Sequence, residues 1–96
     1  MEREINGKTY TFQMTRKSLR QAERAGLRMS AVGDTPMDST YFLWYAALSG
    51  AQPMQITKAD DLLDTYLESA DCPESFTDIF SSLLEEYNDV FGVAAE

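Results

Sequence analysis

Ile5, Tyr10 and Phe12 alternate with polar residues over positions 2 to 13, and Asn6-Gly7 stands between the two arms. Alternation sends successive side chains to opposite faces of a strand, and Asn-Gly readily takes positive φ at both centres of a two-residue turn. This segment predicts a β-hairpin. From residue 15 the period becomes helical. Thr15 can cap a helix over 15–26 that carries Leu19, Ala22 and Ala25 on one face and stops at Gly26. Residues 27–37, with Ser30, Gly33, Asp34, Thr35 and Pro36, show no period and predict a loop. A second helix over 38–50 follows a cap at Asp38 or Ser39 and ends at Gly50. The third, over 57–71, opens on Thr57-Lys-Ala-Asp60, which has capping-box spacing. It places Ala59, Leu62, Leu63, Tyr66, Leu67 and Ala70 on one face, and Cys72-Pro73 breaks it. The fourth, over 74–91, has the widest stripe: Phe76, Ile79, Phe80, Leu83, Leu84, Tyr87, Val90 and Phe91, before Gly92. The pattern predicts one small α+β domain over residues 1–96, mostly α, an N-terminal β-hairpin followed by four helices. The hairpin is expected to pack on the third and fourth helices, with Phe80 and Leu84 in the core.

A chain of 96 residues holds one core, and 44% apolar residues with 11% aromatics can fill it. The absence of His removes the usual neutral-pH general base, the usual zinc ligand and the central member of Ser/His and Cys/His systems. A single Cys72 cannot close an intrachain disulfide, no leader pattern opens the chain, and the longest apolar run, Tyr41 to Leu48, is far shorter than the roughly 20 residues a bilayer requires. A cytoplasmic protein without a membrane span is expected. There is no Gly-rich phosphate loop, serine elbow or Cys-x-x-Cys, and Asp60, Asp61 and Asp64 read as complements to a helix dipole rather than a cation site. No enzymatic activity, cofactor or metal is expected.

Charge changes the picture. Residues 1–28 carry +4 and residues 29–96 carry −12, within a net charge of −8. Arg16, Arg20, Arg24 and Arg28 recur every four residues, so at least the first three share a helix face, where like charges destabilise one another. Such a stripe needs anions: carboxylates of the third and fourth helices of the same molecule, an acidic partner or neighbouring subunit, or nucleic acid. The acidic remainder of the chain argues against the last. A two-ended charge distribution also favours head-to-tail association into a homo-oligomer through these four arginines.

The second helix is apolar all round, with four aromatics in Tyr41-Phe42-Leu43-Trp44-Tyr45. It is either the central helix of the core or a binding element. If one face is open, the face of Tyr41, Trp44, Tyr45 and Leu48 is the better choice because aromatic polar tips tolerate water. Met29, Met37 and Met54 lie in the flanking loops, where they either fill gaps or add adaptable contacts. The candidate partner site is therefore Met37, Tyr41, Trp44, Tyr45, Leu48 and Met54.

Five stretches carry a resemblance. They are Ile5-Asn-Gly-Lys-Thr-Tyr-Thr-Phe12, Ala22-Glu-Arg-Ala-Gly-Leu27, Phe42-Leu-Trp-Tyr-Ala-Ala-Leu48, Ile56-Thr57 before a Leu-Leu-Asp helix, and Leu83-Leu-Glu-Glu-Tyr87. In this order the chain resembles the small tail assembly chaperones of long-tailed, siphovirus-type bacteriophages and prophages. The resemblance implies a non-enzymatic protein of the bacterial host cytoplasm that coats the tape measure protein and keeps it soluble until the tail tube forms. It carries over no functional residue. An acidic regulatory or inhibitory module that mimics nucleic acid is the other reading, supported by the −12 of residues 29–96.

Overall fold

The computed structural model describes residues 2–28, 30, 33–69 and 72–91. In chain order these form β1 (Glu2–Ile5), β2 (Lys8–Thr11), α1 (Arg16–Ala25), α2 (Pro36–Ala51), α3 (Ile56–Glu68) and α4 (Phe76–Phe91). An antiparallel hairpin followed by four helices is the expected order. The strands pair Glu2 with Thr11, Arg3 with Tyr10, Glu4 with Thr9 and Ile5 with Lys8. Asn6 and Gly7 both take positive φ, 53° and 81°, as a twist-matched two-residue turn requires.

Helix α2 is the centre of the molecule: α1, α3, α4 and β2 all pack against it. Leu43, Trp44, Ala46, Ala47 and Leu48 are all fully buried. Trp44 meets the edge of Phe12 with ring centroids 4.7 Å apart and lies 5.8 Å from Tyr66. The hairpin packs on α3 through β1 and on α2 through β2, not mainly on the third and fourth helices. The chain beyond β2 then runs along α2, where the Gln13 amide donates to the Ala47 carbonyl at 2.9 Å. Gly50 makes that approach possible, because a Cβ there would fall 1.9 Å from the Gln13 carbonyl oxygen. Gly50 is thus inside the helix, not its stop.

Helix starts differ from expectation where side-chain capping was assumed. The Thr57–Asp60 box does not form: α3 starts at Ile56 after Gln55, which makes no side-chain cap. Two other boxes do form. Thr15 and Ser18 cap one another's backbone at α1, and at α4 Ser75 Oγ accepts from the Asp78 amide while Asp78 accepts from the Ser75 amide. Helix α2 begins at Pro36, whose fixed φ suits a first helical position, so Ser39 lies inside the helix and is buried, and Asp38 falls in its first turn. Thr40, also buried, satisfies its hydroxyl on the Pro36 carbonyl at 2.7 Å.

At the other end of α1, Gly26 has φ 137° and the Leu27 amide returns to the Ala22 carbonyl. Ala25 is exposed rather than part of the inward face, and α3 ends at Glu68 instead of reaching 71. On α4 the inward pair is Ile79 and Leu83, both buried, whereas Phe80 and Leu84 are half-buried. A stripe as wide as that of α4 turns only its centre to the core. Met29, Ala70, residue 71, Gly92 and the Phe91 side chain lie outside the described residues. No helix among the described residues is long and apolar enough to cross a membrane.

Candidate binding surfaces

The partner site read from the sequence does not survive as one patch. Trp44 and Leu48 are fully buried, so neither can meet a partner. The reason is angular: at about 100° per residue, Trp44 sits between Thr40, Ala47 and Leu48 on the innermost line of α2, with Tyr41 and Tyr45 rotated to one side. The largest side chain takes the centre because it removes the most apolar surface from water, and a polar tip does not override that gain. Trp44 Nε1 is buried without a hydrogen-bond partner among the described residues. Tyr41 and Tyr45 stay half-buried, Met54 is half-buried against the core, and Met37 is 59% exposed.

The two tyrosines open onto different grooves. Tyr41 and Phe42 form the floor of one of about 400 Å³, with Ile56, and Asp38 and Asp60 stand at its sides. The Tyr41 hydroxyl donates to Asp64 Oδ1. Asp60 Oδ1 is buried with no partner among the described residues, and burial, reinforced by Asp64, Asp61 and Asp38, raises its carboxyl pKa. Tyr45 and Met54 instead share a groove of about 560 Å³ between the start of α1 and the end of α2, beside Lys17 and Gln21.

The arginine stripe is in the open. Arg16, Arg20, Arg24 and Arg28 are all exposed, and among the described residues none pairs with a carboxylate. Of the alternatives open for the stripe, neutralisation by carboxylates of α3 and α4 is therefore not the one seen among the described residues. Arg28 turns back on its own backbone, donating to the carbonyls of Glu23 and Leu27 at 3.1 and 2.9 Å. Arg16 and Arg20 instead flank a groove of about 370 Å³ between α1 and α4, lined by Leu19, Tyr87 and Val90 with Glu23 at one side. Comparison with protein-family profiles, curated proteins and solved structures returned no match to this chain.

The sequence reading missed Arg3. It shares the inward side of β1 with Ile5, and its residue is only 5% exposed. Its Nε donates to Glu74 Oε1 at 2.8 Å and Nη2 to Oε2 at 3.3 Å, and this is the one ion pair among the described residues. The guanidinium carbon lies 4.7 Å from the Phe12 ring centre and 5.5 Å from that of Trp44. The Tyr66 hydroxyl donates to the same Glu74 oxygen at 2.7 Å. The period-two pattern that places Ile5 inside also places Arg3 inside, which is the signal that could have found it.

Two phenols report on these carboxylates. Hydrogen bonding to Asp64, with some burial, pushes Tyr41 up to about 12; burial, with the bond to Glu74, pushes Tyr66 up to about 12. A raised folded-state pKa contributes stability that is complete below the unfolded tyrosine value near 10 and is lost as pH rises through the folded value. Ultraviolet titration should therefore show a late phenolate phase, reduced in both Tyr41→Phe and Tyr66→Phe. If neither variant changes the late phase, the two hydrogen bonds do not hold in solution.

Proposed function

We propose that the chain is a non-enzymatic tail assembly chaperone, acting in the cytoplasm of a bacterial host, that binds the tape measure protein and keeps it soluble. The observation that carries this reading is a surface of shallow, apolar-floored grooves edged by a single dominant charge. Arg16 and Arg20 edge the groove of Leu19, Tyr87 and Val90, and Asp38 and Asp60 edge the groove of Tyr41, Phe42 and Ile56. Grooves between helices suit amphipathic helical segments, with charge at the margin selecting orientation. Tyr41 in the acidic-edged groove, Tyr45 and Met54 in the groove beside Lys17, and the exposed Met37 are the site residues of this proposal, and the buried Trp44 and Leu48 are not among them.

The same opposition of charge supports head-to-tail self-association, the stripe of one subunit meeting the acidic groove of the next. Arg20→Glu with Arg24→Glu should leave a monomer at low salt, because the reversed charges repel the acidic groove of the next subunit, and added salt should dissociate the wild-type contact, since exposed charges more than about 8 Å apart are screened at physiological ionic strength. A wild-type protein that sediments as a monomer at low salt and high concentration overturns the self-association.

For the chaperone reading, a tape measure fragment co-expressed with the wild-type chain should stay soluble and should precipitate with a folded Tyr41→Ser/Tyr45→Ser variant. Solubilisation by that variant, verified as folded by circular dichroism, rejects the site. Failure of the wild-type chain to solubilise the fragment rejects the function. A second reading rests on Asp61, Asp64 and Glu68, exposed at helical spacing on α3: an acidic module that occupies the nucleic-acid face of a basic protein. Salt-sensitive competition with DNA for such a protein would favour it.

A further inference from the structure

The geometry points to the free edge of β1 as a docking site for an extended, lysine- or arginine-bearing segment of another protein, which adds to the hairpin as a third strand. This goes beyond the chaperone reading, which uses the helical grooves, and does not depend on it. Three observations carry it.

The first is a groove along the strand. A space of about 630 Å³ runs along the whole of β1 and its turn, and its far wall is Tyr66, Ser69, Cys72, Pro73 and Glu74. No residue of β2 lines it. It therefore follows the side of β1 that faces away from β2.

The second is which backbone groups meet it. Ile5 and Lys8 flank the two-residue turn, so they form a hydrogen-bonded pair, as do Arg3 and Tyr10 two residues on. The amides and carbonyls of Glu2 and Glu4 consequently point away from β2, and among the described residues they have no backbone partner. Two N–H donors and two C=O acceptors on alternate residues are what an added strand needs. The edge is also held firmly. Ile5 is buried, and Arg3 is fixed on Glu74 from the inner side, so little conformational freedom remains to be lost on binding.

The third is charge, which selects the occupant. The residues with free backbone groups are the ones whose exposed side chains are carboxylates. In an antiparallel pair, hydrogen-bonded residues face one another, so pairing this edge with that of a second copy would set Glu2 and Glu4 against Glu2 and Glu4. Like charges directly opposite destabilise a sheet. A second copy is disfavoured, and a strand with basic residues at the facing positions is favoured, its other side chains entering the groove beside Tyr66 and Pro73.

The test uses the full chain, ¹⁵N-labelled, with a blocked peptide of alternating lysine and valine. Its controls are the same composition in block order, and the alternating peptide N-methylated along one edge. At a peptide concentration about ten times its Kd, the amides of Glu2 and Glu4 should exchange about tenfold more slowly. The N-methylated and block-order peptides should give no such protection. A Glu2→Lys/Glu4→Lys variant, both positions being exposed, should lose the response to the lysine peptide and gain one to an alternating glutamate–valine peptide. The proposal is overturned by an absence of protection at millimolar peptide, by equal protection from the block-order peptide, or by a response confined to Lys8–Thr11. It is also overturned if Glu2 and Glu4 are protected in the concentrated protein alone and lose that protection on dilution, which would assign the edge to a second copy.

Discussion

Replacing Gly50 by Ala should destabilise the protein by about 3 kcal/mol, at the upper end of the usual cost of overpacking, although alanine is the better helix former. Gly50 lies inside α2, where intrinsic propensity alone would give a gain of about 1 kcal/mol. Against that, the new Cβ would sit 1.9 Å from the Gln13 carbonyl oxygen, 3.0 Å from its carbon and 3.1 Å from Ser18 Oγ. Two of these atoms are backbone, so no rotamer change relieves the contact. The chain at Gln13 would have to lift from α2, stretching its 2.9 Å bond to Ala47 and disturbing the Thr15–Ser18 cap beside it. For a domain of this length, 3 kcal/mol corresponds to a fall in Tm of roughly 12 to 24 °C. Gly33→Ala is the control, since a Cβ there meets nothing within 4 Å, and its Tm should stay within a few degrees. Equal melting of the two variants would mean that the close crossing of β2's extension over α2 is wrong.

Gly50 also shows what was legible in the sequence and what was not. Its position after an apolar run read as a helix stop, because local rules assign Gly to helix ends, while the close approach that requires it comes from Gln13, distant in sequence. The hairpin was legible because Asn6-Gly7 and the alternation around it are local signals. The four helices were legible from their periods, and their ends less so: Thr57–Asp60 and Ser75–Asp78 have equal capping spacing, and only the second is used. The binding surface was legible least. Trp44 and Tyr45 are neighbours of similar character, and what separates them is which side of α2 meets Phe12 and Tyr66, a tertiary fact. The arginine stripe was readable as a stripe, but whether α3 and α4 neutralise it depends on helix packing that no single-helix pattern contains. Arg3 was not legible as a core residue, because a basic residue between two glutamates looks solvated and its partner Glu74 lies far along the chain.

Glu74→Gln should cost about 3 to 5 kcal/mol, the range for leaving one member of a buried ion pair without its counter-charge. Arg3 has a side chain only 3% exposed and is packed over Phe12 and Trp44, so its guanidinium gains little water when the carboxylate is neutralised. Its Nη1 already lacks a hydrogen-bond partner among the described residues, which leaves Glu74 as its principal compensation. Arg3→Met should cost less, because Glu74 is a quarter exposed and keeps the Tyr66 hydroxyl. The double variant should be more stable than the sum of the single losses allows, with a coupling of up to about 3 kcal/mol, since both charges leave together. Acid provides an independent reading of the same contact. Hydrogen bonding to Arg3 holds the Glu74 carboxyl below its ordinary value of 4.5, against the opposing effect of burial. A depressed folded-state pKa contributes stability that is complete above the unfolded value and is lost as pH falls through the folded one. Wild-type stability should therefore decline below about pH 4.5 more steeply than that of Glu74→Gln, and the two curves should converge toward pH 2. Parallel urea-denaturation curves for the two proteins across that window, or a Glu74→Gln variant that melts with the wild type, would show that Arg3 does not depend on Glu74 for its place in the core.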